Sequence, residues 1–387
     1  MPPDPTQAAA TEPRAATLTR SEESPAGPPT LTPEQADRYS RQILFRGIGN
    51  PGQQRLLLAH VAIVGCGATG AAAASLLARA GVGTLTLIDR DFVEPSNLQR
   101  QVLYEEQDAQ DALPKAEAAA RRIARFSSST RVQPCVTDVV PGNIHDLLAP
   151  ADLILDGTDN FETRFLLNDF AVQQGTPWIY AAAVGSYAAT LNILPRSPHQ
   201  TPWTPTACLA CLFPDPPSGP VETCDTAGIL STAVNVAASL QVTEALKFLT
   251  GQVEAMRRTL VSLDLWPAPS NGTLSRSEIR SDAPRTDCTV CGERRFLHLA
   301  GVRRPQITLC GRNAVQIHEH HRPIDLESLR ARLATHPDVH EVRCNQLLLR
   351  FRRGLHTLTL FPDGRALIQG TTDPAIARSL YARFIGS

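Results

Sequence analysis

Short apolar runs alternate with longer helical patterns through the middle of the chain. Residues 61–64 and 84–88 are apolar runs with the length of buried strands, and the alanine-rich stretch between them, 68–80, has high helix propensity. The same alternation predicts further strands over 131–138, 152–155, 178–182 and 188–194. It predicts further helices over 53–59, after a break at Pro51 and Gly52, and over 114–126, 142–148, 161–173 and 229–249. This order indicates an α/β fold, a Rossmann-like doubly wound sheet that is mostly parallel with an antiparallel extension.

Both ends of the chain differ from this middle part. Residues 1–31 are rich in Pro, Ala, Thr and Ser, a composition typical of a disordered tail, and Thr32-Pro33 then predicts the start of a helix. Residues 299–387 predict a small α+β domain of unknown role, with strands over 306–317, 347–351, 356–361 and 365–369 and helices over 325–335 and 373–384. We therefore expect a main domain over 32–298 between the tail and this small domain.

Composition narrows the class of protein. The chain has 387 residues, a net charge of −1, 42% hydrophobic and 19% charged residues, so no general charge draws it to nucleic acid or to a membrane surface. It has no signal-peptide core and no apolar run long enough to span a bilayer. Nine cysteines, an odd number, predict a reducing, cytoplasmic location and metal ligation in place of disulfides.

A glycine frame joins the first predicted strand to the alanine-rich helix. Gly65, Gly67 and Gly70 form G-x-G-x-x-G, which brings backbone N–H groups close to a phosphate at a helix N-terminus. Asp89 ends the next strand about twenty residues further on, where its carboxylate can accept hydrogen bonds from ribose hydroxyls. Taken alone, these residues favour a nicotinamide or flavin enzyme.

Charged residues near the same sheet edge change that interpretation. Arg100, in the polar run 96–101, and Lys115, at the start of a helix, suit a ligand with several phosphate charges, although either side chain can simply be solvated. Asp159 ends a predicted strand and can hold Mg²⁺ there. The alternative is that Asp159 or Asn160 caps the helix that follows.

The cysteines give the second signal. Cys208 and Cys211 form one C-x-x-C pair and Cys288 and Cys291 form another, and four thiolates suit a closed, structural Zn²⁺ site. Cys224 stands apart, just before a predicted helix. It is either a nucleophile with a lowered pKa or a small buried apolar residue.

Several motifs occur together in one order: Tyr39-Ser40-Arg41-Gln42, the loop 65–70, the run 96–101, Pro114-Lys115, Thr158-Asp159-Asn160 and the paired C-x-x-C. In this combination the chain resembles the ThiF/MoeB family, relatives of the ubiquitin-activating enzymes. The resemblance covers roughly residues 32–295. It implies an adenylyltransferase that uses ATP, with Mg²⁺ and Zn²⁺, to adenylylate the C-terminal glycine carboxylate of a ubiquitin-like sulfur-carrier protein, releasing pyrophosphate.

The resemblance also implies residue roles. Gly65, Gly67 and Gly70 lie along the phosphates, Asp89 holds the ribose with Asp91 as second choice, and Asn97, Arg100 and Lys115 neutralise phosphate charge. Asp159, beside Asn160, holds Mg²⁺. Arg41 is an arginine finger supplied across a homodimer, Cys208, Cys211, Cys288 and Cys291 bind zinc, and Cys224 matches a cysteine that some members link covalently to the carrier.

Partners and pathway stay open at this stage. The carrier belongs to thiamine synthesis, molybdenum-cofactor synthesis or another pathway, and a cysteine desulfurase or rhodanese is the expected sulfur donor. Two other functional classes also remain: an NAD(P)-dependent oxidoreductase, and a nucleotide-binding scaffold without turnover.

Overall fold

The computed structural model describes residues 30–197, 201–214, 227–267, 274–302, 308–309, 314–317, 324–346, 348–362 and 364–385. Residues 1–29 of the predicted tail and Cys224 therefore lie outside the described residues. Within them, strands form two separate sheets, one of eight strands and one of six. Both sheets are covered by helices on at least one face.

The large sheet carries the predicted doubly wound topology. Its strands are β1 His60–Val64, β2 Thr84–Ile88, β3 Arg131–Cys135, β4 Leu153–Asp156, β5 Trp178–Val184, β6 Tyr187–Ile193, β7 Thr259–Asp264 and β8 Ser275–Arg280. They lie in the order β3-β2-β1-β4-β5-β6-β7-β8. Pairing is parallel from β3 through β5 and antiparallel from β5 to β8. The mostly parallel sheet with an antiparallel extension is thus confirmed.

Helices pack on both faces of this sheet. They are α1 Pro33–Arg38, α2 Ser40–Ile43, α3 Gly49–Leu58, α4 Ala68–Ala80, α5 Glu106–Gln110, α6 Lys115–Ala124, α7 Ile144–Leu148, α8 Phe161–Gln174, α9 Leu209–Leu212 and α10 Ser231–Leu249. Apolar residues of α3, α4, α6 and α10 form one buried cluster, and those of α7, α8 and α9 form another. The two clusters place a hydrophobic core on either side of the parallel strands.

The N-terminal helices differ from the prediction in one respect. Thr32 caps α1 in a capping box, as its sequence suggests. Pro51 and Gly52 do not interrupt the helix, because α3 already begins at Gly49 and includes both residues. Proline is tolerated there because the first-turn N–H groups of a helix have no partner within the helix. The predicted break was therefore wrong.

The second sheet lies near the C-terminus. Its strands are β9 Thr308–Leu309, β10 Ala314–Ile317, β11 His340–Cys344, β12 Leu349–Arg353, β13 His356–Leu360 and β14 Ala366–Gln369, and its helices are α11 Leu326–Ala334 and α12 Pro374–Phe384. The pairing is antiparallel throughout, in the order β11-β12-β13-β14-β10-β9. Leucines and aromatics of both helices pack on one face of the sheet. We call this part, residues 308–385, the C-terminal unit.

Among the helices of the described residues, none combines the length and the apolar character that crossing a membrane requires.

Candidate nucleotide site and zinc centre

The glycine loop between β1 and α4 leaves no room for a side chain at Gly65 or Gly70. Gly65 has φ +89, a conformation that favours glycine, and its N–H donates to the Ile88 carbonyl at 2.8 Å. A Cβ on Gly70 would lie 1.8 Å from the Gly65 carbonyl oxygen. Gly157, just after β4, approaches the same carbonyl, since a Cβ on Gly157 would lie 2.3 Å from that oxygen. The ends of β1 and β4 and the start of α4 therefore meet as bare backbone.

Asp89 ties this loop to the end of β2. One carboxylate oxygen accepts from the Cys66 N–H at 2.6 Å and the other from the Asp91 N–H at 2.7 Å. Burial raises the pKa of Asp89, an effect that Lys115 opposes and Asp91 reinforces. The predicted ribose acceptor thus also holds the glycine loop in place.

Lys115 lies buried beside Asp91. Its side chain is 2% exposed, and Nζ lies 3.2 Å from the Asp91 carboxylate. The Lys115 backbone N–H donates to the Asp91 carbonyl at 2.8 Å, and Phe92 forms a β-bridge with Pro114. The segment after β2 and the start of α6 are thereby joined at the sheet edge where the glycine loop lies.

The polar run after β2 folds into a 3-10 turn, Pro95–Asn97. Asn97 is buried and its side-chain oxygen accepts from the Glu94 N–H at 3.1 Å. Arg100 is partly exposed, and its guanidinium donates to the Ser96 carbonyl at 2.9 Å. The Asn97 side chain therefore stabilises this turn, and Arg100 lies near the surface of the turn.

Asp159 follows β4 and is exposed to solvent. Helix α8 is capped by Asn160, whose side chain accepts from the Thr163 N–H at 2.8 Å. The cap that the sequence left open between two residues thus belongs to Asn160. The Asp159 carboxylate raises the pKa of Arg90 and Arg164, although each arginine has a closer acidic partner with a larger effect.

A buried ion pair fixes the loop that carries Asp159. Arg164 Nε donates to the Asp156 carboxylate at 2.9 Å, and Nη2 donates to the carbonyls of Thr158 at 2.7 Å and Ala181 at 3.0 Å. The guanidinium also lies 4.8 Å from the Tyr180 ring centroid. Although burial opposes it, Asp156 raises the pKa of Arg164. Sequence reasoning missed Arg164, because an arginine within a helix pattern is usually solvent-exposed.

A second ion pair lies at the ends of β2 and β3. Arg90 Nη1 lies 3.0 and 2.8 Å from the two carboxylate oxygens of Asp138. Arg90 directly follows Asp89, so its position at the carboxyl end of a strand was the signal that could have singled it out. It adds a cation to the edge that the glycine loop and Asp159 share.

Arg41 does not belong to this cluster within its own chain. It is exposed on α2, and the neighbouring Gln42 donates to the carbonyl of Ala80, the last residue of α4. The glycine loop lies at the other end of α4, and a 13-residue helix spans about 20 Å. An Arg41 contact with the site therefore requires a second chain.

The four predicted cysteine ligands do come together. The sulfurs of Cys208, Cys211, Cys288 and Cys291 all lie within 4.8 Å of one another. Sγ–Sγ separations are 3.8 Å for 208–211, 3.6 Å for 208–288 and 3.3 Å for 211–291. A tetrahedron with metal–sulfur bonds of about 2.3 Å has edges of about 3.8 Å, so the cluster fits a Zn²⁺ ion. The backbone N–H of Arg285 also donates to Cys211 Sγ at 3.4 Å.

The chain is similar to one protein family, to individual proteins and to a solved structure. The ThiF family model matches residues 39–290. The chain is 45% identical to the sulfur carrier protein ThiS adenylyltransferase of Bacillus subtilis, over 90% of this chain and 99% of that protein. It is 37% identical to the SAMP-activating enzyme E1 of Haloferax volcanii, over 68% and 92% of the two chains. A crystal structure of E. coli MccB with succinimide matches with a TM-score of 0.54 and 25% identity, over 66% of this chain and 74% of that one.

Proposed function

We propose, from the premise that this chain belongs to the ThiF family, that it joins AMP from ATP to the C-terminal carboxylate of a ubiquitin-like sulfur-carrier protein. One observation carries the proposal: a bare glycine loop, a buried lysine and an exposed carboxylate share one sheet edge. That set suits a triphosphate and its metal ion. A nicotinamide cofactor needs neither a buried lysine nor a metal ligand.

ATP enters this proposal with its phosphates along the glycine loop. Backbone N–H groups at the start of α4 face them, and Asp89 accepts from the ribose while holding the loop through Cys66. Lys115 pairs with Asp91 in the structure, and we infer that it turns to the phosphates when ATP is bound. Arg100 adds a second cation from the surface of its turn.

Asp159 is the residue we propose as the Mg²⁺ ligand. Its carboxylate is exposed at the end of β4, and the cap of α8 is made by Asn160, so the local fold does not use it for capping. The bound ion would neutralise phosphate charge and favour departure of pyrophosphate. Arg164 and Asp156 hold the backbone on which Asp159 sits.

The reaction needs no general base. A carboxylate oxygen of the carrier attacks the α-phosphorus, a new P–O bond forms, and the bond from that phosphorus to the pyrophosphate oxygen breaks. No proton changes place, since the carboxylate is already ionised. The protein's part is to align two anions and to place cations where negative charge accumulates.

Arg41 is proposed to act across a homodimer. In its own chain it lies by the far end of α4, with the exposed apolar residues Leu44 and Phe45 beside it on the surface. A second copy that covers these residues would bring the partner's arginine towards the glycine loop. The dimer interface and the reaction would then depend on the same short helix.

The carrier we propose is ThiS-like, since the similarity to the Bacillus subtilis enzyme spans nearly that whole protein. Tyr187 begins β6 and Trp266 follows β7, and both are exposed at the edge of the sheet where β1 and β4 end. Exposed aromatic side chains there offer a docking surface for the carrier. We expect the sulfur to come from a cysteine desulfurase or a rhodanese.

The cysteine cluster is proposed as a closed Zn²⁺ site with a structural role. Four sulfur ligands leave no open position for a substrate, and the ion would tie the chain near α9 to residues 288–291. Thiolate ligands persist in a reducing compartment such as the cytoplasm. Cys224 lies outside the described residues, so a covalent link from it to the carrier stays a prediction.

The test is ATP–pyrophosphate exchange with purified ThiS-like and MoaD-like carriers. Arg41→Ala is expected to bind ATP nearly normally and to lose most of the exchange, whereas Arg46→Ala, an exposed arginine close by, keeps it. Exchange by Arg41→Ala at the unmutated rate would show that the finger role is wrong. Tight NAD(P) binding without pyrophosphate release would indicate an oxidoreductase, and ATP binding without exchange a scaffold.

A further inference from the structure

The sheet of the C-terminal unit has one face that is buried by helices and a second face that is buried in part. Alternate residues of its strands face α11 and α12, as the pleat requires. These are Leu349, Phe351, Leu358, Leu360, Ala366 and Ile368. Their neighbours Leu348, Phe361 and Leu367 belong to a separate buried cluster on the other face. A small sheet with helices on one side only would leave that second face to solvent, so something else covers it.

The cover is the nucleotide-binding part of the same chain. Leu348, Phe361 and Leu367 pack with Phe92 and Ala112, and Val136 borders the cluster. These partners follow β2 and β3 or precede α6, so they lie by the sheet edge that carries the candidate site. The C-terminal unit is thus docked on the segments that build the nucleotide site.

Polar contacts surround this apolar centre. The Arg350 guanidinium lies 4.5 Å from the Phe92 ring centroid, and Arg343 donates to the Gln110 carbonyl at 2.7 Å. Further contacts run from Arg365 to the Val136 carbonyl at 3.3 Å and from Gln369 to the Glu94 carboxylate at 3.4 Å. Burial lowers the pKa of Arg350, which fits a guanidinium enclosed between two parts of the chain. The docking surface therefore combines an apolar centre with a polar rim.

The contacted residues are next to Asp91 and Lys115. Phe92 bridges to Pro114, the Val93 N–H donates to the Leu113 carbonyl at 2.8 Å, and Lys115 N–H donates to the Asp91 carbonyl. Ala112 has φ +48, a left-handed conformation uncommon for alanine, and it is fully enclosed in the interface. The C-terminal unit thus packs against the short β-bridge between residues 92–93 and 113–114, which sets the positions of Asp91 and Lys115.

We propose that the C-terminal unit is a positioning module for the nucleotide site. Its second sheet face holds the bridge of residues 92–93 and 113–114 in one conformation and so fixes Lys115 for the phosphates of ATP. This inference rests on the proposed function for the identity of the nucleotide. It assigns the unit a role in nucleotide affinity, with no catalytic group of its own.

The test compares Leu367→Asp with Leu355→Asp in the full chain. Leu367 faces the interface while its neighbours Ala366 and Ile368 keep the unit's own core, and Leu355 is 85% exposed on the hairpin between β12 and β13. Two readouts are combined: hydrogen exchange of the amides of Val93 and Lys115, and the dissociation constant for ATP by calorimetry. Arg350→Ala, which removes the guanidinium that lies over Phe92 but leaves the apolar centre of the interface intact, serves if Leu367→Asp does not fold.

We expect Leu367→Asp to speed exchange of those amides and to weaken ATP binding at least fivefold, with Leu355→Asp within twofold of the unmutated protein. Leu367→Met, which keeps an apolar side chain at the interface, should leave amide exchange and ATP affinity as in the unmutated protein. Faster amide hydrogen exchange with unchanged ATP affinity would show that the contact is only structural. Unchanged amide hydrogen exchange in both Leu367→Asp and Arg350→Ala would show that the contact does not hold the bridge in place. Either result overturns the proposal. ATP binding by the unmutated protein without adenylylation would instead count against the proposed function.

Discussion

The Arg164–Asp156 pair allows a sharp test of what holds the Asp159 loop. Arg164→Met keeps an aliphatic side chain but removes the guanidinium from a carboxylate that is 0% exposed, with Arg164 itself 7% exposed. Leaving one charge of a buried pair without its partner costs about 3–5 kcal/mol in unfolding free energy. Since domains of this kind have about 5–15 kcal/mol in total, the loss should be plain in a denaturation curve.

The assay is urea unfolding followed by circular dichroism, together with ATP–pyrophosphate exchange on the folded protein. Arg121→Met is the matched control, because Arg121 makes an exposed ion pair with Glu117 four residues earlier on α6, worth at most about 0.5 kcal/mol. Adding Asp156→Asn to Arg164→Met should recover about 1–2 kcal/mol, since the remaining buried group is then neutral.

Exchange activity should fall further than stability alone explains, because Arg164 also holds the carbonyl of Thr158, the residue before Asp159. This role of Arg164 is refuted if Arg164→Met loses no more stability than Arg121→Met. It is refuted equally if the folded variant exchanges pyrophosphate at the unmutated rate.

Three further predictions concern the four-cysteine cluster, Asp89 and the glycine loop. Cys208→Ser, or a strong chelator on the unmutated protein, should release one zinc ion per chain by atomic absorption and lower the melting temperature. Because burial raises the pKa of Asp89, its carboxylate should become protonated at a higher pH than an ordinary aspartate when the pH is lowered. ATP affinity should fall with that protonation, and Asp89→Asn should abolish this pH dependence in calorimetric titrations. Gly70→Ala should destabilise the protein by at least about 2 kcal/mol, because its Cβ would overlap the Gly65 carbonyl, whereas Gly142→Ala, with nothing within 4 Å, should change little in the same unfolding assay.

The sequence predicts those parts of this molecule that local patterns determine. The strand, glycine loop and helix over residues 60–80 follow from an apolar run, a glycine frame and alanine propensity, and the structure places α4 at the predicted residues. The cysteine cluster is predictable because each C-x-x-C pair presents two sulfurs to one ion. Strands β7 and β8 were missed. In β8, at the edge of the sheet, every residue is exposed and the pattern is largely polar.

Long-range packing was beyond the reach of sequence patterns. Leu348, just before β12, and Leu367, on the second face of β14, are visible as apolar residues in the sequence, but nothing local indicates that they meet Phe92 and Ala112. The buried state of Arg164 has the same origin, because its partners come from β4, from β5 and from the loop after β4. Both features depend on chain segments that only the folded topology brings together.

The measurement that bears most directly on the account is the intact mass of a ThiS-like carrier after incubation with this protein, ATP and Mg²⁺. We expect a carrier heavier by one adenylyl group (AMP minus water), formed with the unmutated protein and lost when the carrier lacks its final glycine. An unchanged carrier mass, with tight binding of NAD(P) in place of ATP, would contradict it.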